Sequence, residues 1–398
     1  MAAALNGYRV LVSGAGVAGP ALAWWLAHHG AEVTVVEKAR ALRESGFAVD
    51  FRGPTHLGVL ARMGVLDELR AVQTHGNAMC SVDEQGREIF TLPAEFTGGE
   101  LEVYRRDLSR VFYEHSRGSC RYLFGDEIVE LTDAPDGVRV SFAGGDTQRY
   151  DLVVGADGLH SAVRRFAFGP ESRFVRHLGY HIAGWELPND LGADRTSRQY
   201  NQPGRMASVA ADLRVADTAG VMAVFRSGPA SVGWHDRDAQ KAFVTAALDG
   251  MGWHVPRLLA GLADADELYF DAIARVHAPH WTAGRVALLG DAAWGVTLGG
   301  MGVGTGVVGA YVLAGELAAA RGAHVPALAA YEQRMRRFAG RWQRGAQPGR
   351  FLAPATRYGL ALRNGMFANR VVRKMMLSGT RSLATDAGLP DYAPASIG

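Results

Sequence analysis

The sequence predicts an α/β fold: a Rossmann-like, doubly wound parallel sheet with an inserted, mostly antiparallel β-sheet and a C-terminal helical segment. Three observations predict it. Three apolar strands far apart in the sequence each run into a Gly-rich turn and then a helix. Residues 170–283 carry no such turn and read as alternating strands with aromatic residues. From about residue 323 the chain turns helical and basic.

The first unit is VLVSGAGVAGPALAWWLAHHGAEVTVVE, residues 10–37. An apolar strand enters Gly14-Ala15-Gly16-Val17-Ala18-Gly19, an Ala/Leu/Trp helix follows, and a second strand closes on Glu37 and Lys38. Gly14 allows the tight strand-to-helix turn, Gly16 lets the backbone approach a pyrophosphate, and Gly19 lets helix and strand pack closely. The unpaired N–H groups at the helix start, around Ala15 and Val17, face phosphates. Glu37 follows Gly19 by eighteen residues, where a carboxylate accepts ribose hydroxyl hydrogens. The reading is a dinucleotide site.

A helix near 54–72 comes next, then LEVYRRDLSRVFYEHS (101–116), a strand end entering an amphipathic helix. A hairpin joins Glu127–Leu131 to Val138–Phe142 through Asp136-Gly137. DLVVGADGLHSAVRR (151–165) is a second buried strand ending at Gly155-Ala156-Asp157-Gly158. GRVALLGDAAW (284–294) is a third, ending in Gly290-Asp291, and GGMGVGTGVVGAYVLAGEL (299–317) becomes helical from about Thr305. Strands of one sheet ending in such turns converge on one ligand at their carboxyl ends.

These three segments, in this order and at these distances, resemble the FAD-dependent aromatic hydroxylases, the para-hydroxybenzoate hydroxylase-like group A flavoprotein monooxygenases, over residues 8–345. DLVVGADGLHSAVR matches the family's central D-G motif and GRVALLGDAA its G-D motif. The resemblance implies FAD, with NAD(P)H as a transient co-substrate, and oxygen transfer from O2 to an electron-rich ring or alkene. It places Arg105 on the FAD, Arg43 near the adenosine side, and Asp50 with Arg52 near the flavin ring. It gives Asp157 and Asp291 to the cofactor, the latter for a ribityl or ribose hydroxyl, and Gly302 with Val303 to backbone contact with the ring. One segment departs from the family: Trp294 replaces a His, and GVTLGGMG lacks the usual Pro, which would fix φ and stiffen the turn. That departure leaves a second reading open, a non-redox cyclase in which FAD is a fixed scaffold; a third is a non-catalytic binding protein.

The expected division is an FAD-binding domain from 1–72, 101–169 and 284–345, a substrate-binding sheet from 73–100 and 170–283, and a C-terminal segment over 346–398. Trp185, Tyr200, Met206 and Phe225 are the candidates for pocket lining, although aromatic residues on alternating strands are more often plain core. His181 is a candidate to orient a phenol, against a satisfied core histidine. The histidines lack metal-ligand spacing, and no Ser-His-Asp or paired-carboxylate arrangement emerges, so no metal and no catalytic side chain is assigned. The partner is then a bulky aromatic or polyketide-like small molecule, in secondary metabolism or detoxification.

Composition sets the remaining bounds. A net charge of +2 with 21% charged residues gives no global field for nucleic acid or an anionic membrane. Cys80 and Cys120 make no disulfide framework, which fits a reducing cytosol. Residues 1–9 lack a secretory signal, and the apolar run 303–319 is broken by Gly and Glu316. The expectation is a cytoplasmic monomer or homodimer with no stable membrane association. In the C-terminal segment, Phe367, Val371 and Met375 recur every four residues and read as a core-packing stripe, with a poorly ordered tail from Thr380.

Overall fold

The apolar runs that precede the Gly-rich turns become parallel strands of one sheet, because strands buried on both faces need no polar alternation. In the computed structural model, residues 3–42, 47–94, 99–212, 215, 217–229, 232–233, 236–299, 302–343, 347–372 and 388–392 are described. The sheet runs, edge to edge, Thr282–Ala283, Val286–Leu288, Leu152–Gly155, Arg9–Ser13, Glu32–Glu37, Arg121–Phe124. All pairings are parallel except the first. Register aligns Ser13 with Val36 on one side and with Gly155 on the other, and Gly155 with Leu288. The turns that follow those residues therefore open side by side at one edge.

Helix Ala18–His28 is buried along most of its length, as its Ala, Leu and Trp content requires. It packs on helix Gly302–Ala319, with the Trp25 and Tyr311 rings 4.8 Å apart. The latter helix is long and apolar enough to cross a membrane, yet most of it is enclosed by the core. It starts at Gly302, three residues earlier than the sequence suggests. The helix expected over 54–72 is two, Gly53–Arg62 and Leu66–Ala71, because Gly64 takes a φ of 75° between them.

The second sheet has the order Leu268–Val276, Val175–Pro188, Thr218–Arg226, Arg205–Ala211, Ser197–Gln202, Met79–Val82, Glu88–Leu92. It is antiparallel except where Ser197–Gln202 meets Met79–Val82. Helices Arg237–Leu248 and Val255–Asp264 cover one face. The other face meets Phe47 and Leu298, which belong to connections of the first sheet, and Leu352. A three-stranded antiparallel unit, Ile128–Ala134, Gly137–Phe142 and Thr147–Tyr150, contains the expected hairpin.

The C-terminal stripe divides. Phe367 is buried on helix Arg357–Ala368, its ring stacked on Phe90 at 5.3 Å, whereas Val371 is exposed and Met375 lies outside the described residues. Part of the tail is held in place. Tyr311 Oη donates to Pro390 O at 3.0 Å, and the Tyr392 ring fills the space that a Cβ on Gly315 would take. Tyr392 Oη donates to Glu316 Oε1.

Candidate active site

Small residues from three distant segments meet where the aligned strands end. Gly14 has a φ of 105°, and a Cβ there would lie 2.6 Å from Ala156 O, in the second Gly-rich turn. A Cβ on Gly19 would lie 1.9 Å from Gly14 O, so helix Ala18–His28 reaches its strand only with glycine there. A Cβ on Gly306 would meet Ala18 Cβ at 3.4 Å and Gly290 Cα at 3.7 Å, joining the first turn to the third. Gly16 differs: a Cβ there would have only Arg105 Nη2 within 4 Å, at 3.7 Å, so its backbone faces open space. No side chain caps the helix at Val17. Its first-turn N–H groups and positive dipole end point into that space.

Charged groups surround the opening. Glu37 Oε2 accepts the Ala15 N–H at 2.9 Å and Oε1 the Ala39 N–H at 3.0 Å, so the carboxylate braces the turn while each oxygen keeps a lone pair. Lys38 beside it is exposed. Arg105 and Asp291 lie within electrostatic reach of each other. Burial pushes the Asp291 carboxyl up, Arg105 opposes that shift and Asp271 adds to it. A Cβ on Gly302 would lie 3.1 Å from Asp291 Oδ1, which puts the start of helix Gly302–Ala319, with half-buried Val303, beside that acid. Thus Gly16, Arg105, Asp291 and Gly302 form one contiguous rim.

Asp157 serves the protein itself. Its Oδ2 accepts N–H bonds from Ala162 at 2.8 Å and Val163 at 3.1 Å, and Ser13 Oγ donates to it at 3.3 Å. Burial raises its pKa, and Oδ1 is buried without a partner. Asp50 sits on strand Ala48–Phe51, opposite Glu102, and accepts from Arg52 Nε. Burial pushes the Asp50 carboxyl up against the pull of that guanidinium. Arg43 lies outside the described residues.

The segment that lacks the family's Pro is held by other means. Thr297 Oγ1 donates to Ala272 O at 3.0 Å, Thr297 N donates to Ala274 O at 3.0 Å, and Val276 N donates to Gly295 O at 2.8 Å. These bonds tie residues 295–297 to strand Leu268–Val276 of the second sheet. Trp294 is buried against Trp281, ring centroids 4.6 Å apart, with its Nε1 unpartnered.

Strand alternation sorts the pocket candidates. Trp185, Tyr200 and Phe225 point to the helix-covered face, where Trp185 Nε1 donates to Leu258 O at 3.1 Å. Their placement is core, at odds with pocket lining, because period two sends them away from the first sheet. His181 shares that face; burial pushes its pKa down to about 4, and Nδ1 pairs with Ser227 Oγ at 2.5 Å. Met206 alone of the four faces the other way. That face carries a row across the strands, Tyr269, Gly184, Met222, Ser208, Gln199 and Ser81, set by register. Phe47 lies over Gly184, 2.5 Å from where a Cβ would sit, and 5.3 Å from the Tyr269 ring. Ser81 Oγ and Gln199 Oε1 are buried there without hydrogen-bond partners. Sequence reading missed this row, although Ser81 within the otherwise apolar strand Met79–Val82 was a signal.

Two further groups bind the segments together. Arg164, fully buried, donates from Nη1 to Ala292 O at 2.9 Å and from Nη2 to Leu159 O at 2.5 Å, linking the second and third Gly-rich segments. His160 faces Glu171 Oε1 at 3.0 Å and Asp271 Oδ1 at 3.5 Å, which hold its pKa up at about 9. Among the described residues no cluster of His, Cys, Asp or Glu has the makings of a metal site. A cleft of about 330 Å³ beside Asp133, Arg285 and His324 opens at the amino ends of the parallel strands, away from this rim.

The open backbone at Gly16, the uncapped helix start, the brace of Glu37 and the cationic Arg105 fit an FAD. Comparison with known proteins agrees. A family model described as FAD binding domain matches residues 7–173. A flavin-dependent monooxygenase from an unknown prokaryotic organism is 37% identical over 341 residues, 82% of this chain and 85% of that protein. The FAD-dependent monooxygenase asL4 of Sarocladium schorii is 30% identical over 425 residues, 96% of this chain and 98% of its own. The crystal structure of tetracycline destructase Tet(55) superposes with a TM-score of 0.79 at 32% identity, covering 97% of this chain and 99% of that one.

Proposed function

We propose that this chain, which belongs to the flavin-dependent monooxygenase family, uses NAD(P)H and O2 to place one oxygen atom on a bulky aromatic or polyketide-like small molecule. The observation that carries the reading is the meeting of two surfaces: the Gly16–Arg105–Asp291–Gly302 rim and the Met206–Met222–Tyr269 face, joined through Phe47 and residues 295–298. FAD, held by these residues, would supply the two-electron redox and oxygen-transfer chemistry, with NAD(P)H as reductant, O2 as oxidant and water as the second product.

The protein's own residues position and exclude. The Gly14–Gly19 turn with Ala15 and Val17 receives the pyrophosphate, Glu37 with Lys38 the adenosine ribose, and Arg105 offsets phosphate charge. Asp291 takes a hydroxyl of the ribityl group, and Gly302 and Val303 set the ring. Asp157 acts through the turn it caps, and Asp50 lines the approach. On the substrate side, Phe47, Met206, Met222 and Tyr269 exclude water, and the unpartnered Gln199 Oε1 and Ser81 Oγ accept or donate to a polar substituent of the substrate. The likeness to a tetracycline destructase supports a fused-ring substrate of that bulk. The tying of residues 295–297 to the substrate sheet supports a ring site coupled to substrate occupancy.

The test is NAD(P)H oxidation by the purified flavoprotein under ¹⁸O2 with a panel of polycyclic phenols. The proposal expects oxidation that rises with substrate and one labelled oxygen in the product. A yellow protein that NAD(P)H never bleaches, yet which rearranges a substrate without gaining oxygen, would overturn it in favour of a cyclase scaffold.

A further inference from the structure

Helix Arg357–Ala368 has two faces with different tasks. Inward, Phe367 packs on Phe90, and buried Arg363 donates to Leu352 O and Asn201 Oδ1, both at 2.9 Å. These contacts fix the helix over one edge of the second sheet. Outward, Tyr358 is 90% exposed, Leu362 67% and Met366 38%, at a spacing of four that makes one stripe. Phe351 at 37% and Val371 at 72% flank it. An apolar stripe held open to water by a well-anchored helix marks an interaction surface.

Charge identifies the partner. Between Glu332 and Asp386 the sequence holds twelve Arg and Lys and no Asp or Glu, although the whole protein has 42 basic and 40 acidic residues. Arg350, Arg357 and Arg370 are exposed beside the stripe, and among the described residues none of them pairs with a carboxylate. A second copy would bring like charge against like charge, which opposes self-association through this face. A lipid surface satisfies both features together: the apolar stripe enters the headgroup–acyl boundary while guanidinium groups reach lipid phosphates.

We propose that this face is a reversible docking surface for an anionic lipid bilayer. Two signals of this kind, an apolar stripe and a polybasic flank, are what peripheral binding requires. Docking sets the edge of the pocket-bearing sheet against the membrane.

Co-sedimentation of the full-length, flavin-loaded protein with phosphatidylcholine vesicles, with and without phosphatidylglycerol, tests the proposal. The protein should pellet with the anionic vesicles and be released by salt. Tyr358→Asp with Leu362→Asp should lower partition by about tenfold or more, and Arg357→Gln with Arg370→Gln by a smaller factor. The bound-flavin absorbance of each variant reports that it folds. Equal partition on neutral and anionic vesicles, or no loss in either variant, would overturn the proposal. So would a stripe variant that changes oligomeric state without any lipid binding in the parent, which would assign the face to protein contact.

Discussion

The cofactor rim and the substrate sheet are built on opposite rules. Around the rim, position is fixed by what cannot be larger: Gly14 and Gly19 are places where backbone atoms crowd any added carbon, and Gly290 takes a φ of 63° that favours glycine. In the substrate sheet, position is fixed by which face a side chain takes, and an aromatic residue serves either face equally well. Gly14 and Gly19 therefore resist substitution, while the sheet permits many changes that keep the pattern. It follows that rim changes should act on flavin retention and folding together, whereas sheet changes should separate stability from substrate binding according to face.

The largest effect should come from Gly19→Ala. Its Cβ meets a backbone carbonyl at 1.9 Å, and no side-chain rotation relieves that. The expected cost is about 3 kcal/mol or more, with protein that purifies colourless or insoluble. A soluble, fully yellow variant would break the contrast at its root. Next, Trp185→Ala and Met222→Ala should differ in kind. Trp185 fills the helix-covered core, so its loss should cost about 3–5 kcal/mol of stability with an unchanged KM in the surviving folded fraction. Met222 faces Phe47 and the pocket row, so its truncation should raise KM with a smaller loss of Tm. Thermal melts and steady-state kinetics on both variants decide whether the two faces are distinct.

The smallest effect belongs to the link between the two regions. His160 reaches Asp271 of the substrate sheet and Glu171, and its pKa is raised from 6.5 to about 9. A raised folded-state pKa means the contribution is complete below about 6.5 and is lost as pH rises through about 9. Tm should therefore fall modestly across that window, and His160→Gln should flatten the fall. A slope that survives the substitution would place its origin elsewhere.

Much of this architecture was legible in the sequence for a physical reason. A strand, a Gly-rich turn and a helix at residues 10–28, 151–168 and 284–294 leave few alternatives once the turns must align, and they do align at Ser13, Gly155 and Leu288. Gly16 was readable from its place in the first Gly-rich turn, whereas Arg105 and Gly302 were placed on the same rim only by the family resemblance. The face taken by Trp185 and Phe225 was not readable, since apolar strands covered on both sides show no polar alternation to reveal it. The tether at Thr297 was also hidden, because a hydroxyl bonded to a distant strand has no local signature. The stripe of Phe367, Val371 and Met375 was right at Phe367, which is buried, and wrong at Val371, which is exposed, while an exposed line runs through Tyr358, Leu362 and Met366.

A crystal structure of the flavin-loaded protein tests the central claim most directly, through the density of the bound cofactor. The account predicts the pyrophosphate against the N–H groups at the start of helix Ala18–His28 beside Arg105, the adenosine ribose at Glu37, and the ring between Gly302 and the Met222–Tyr269 face. Density for the ring on any other surface, or an adenosine away from Glu37, would contradict it.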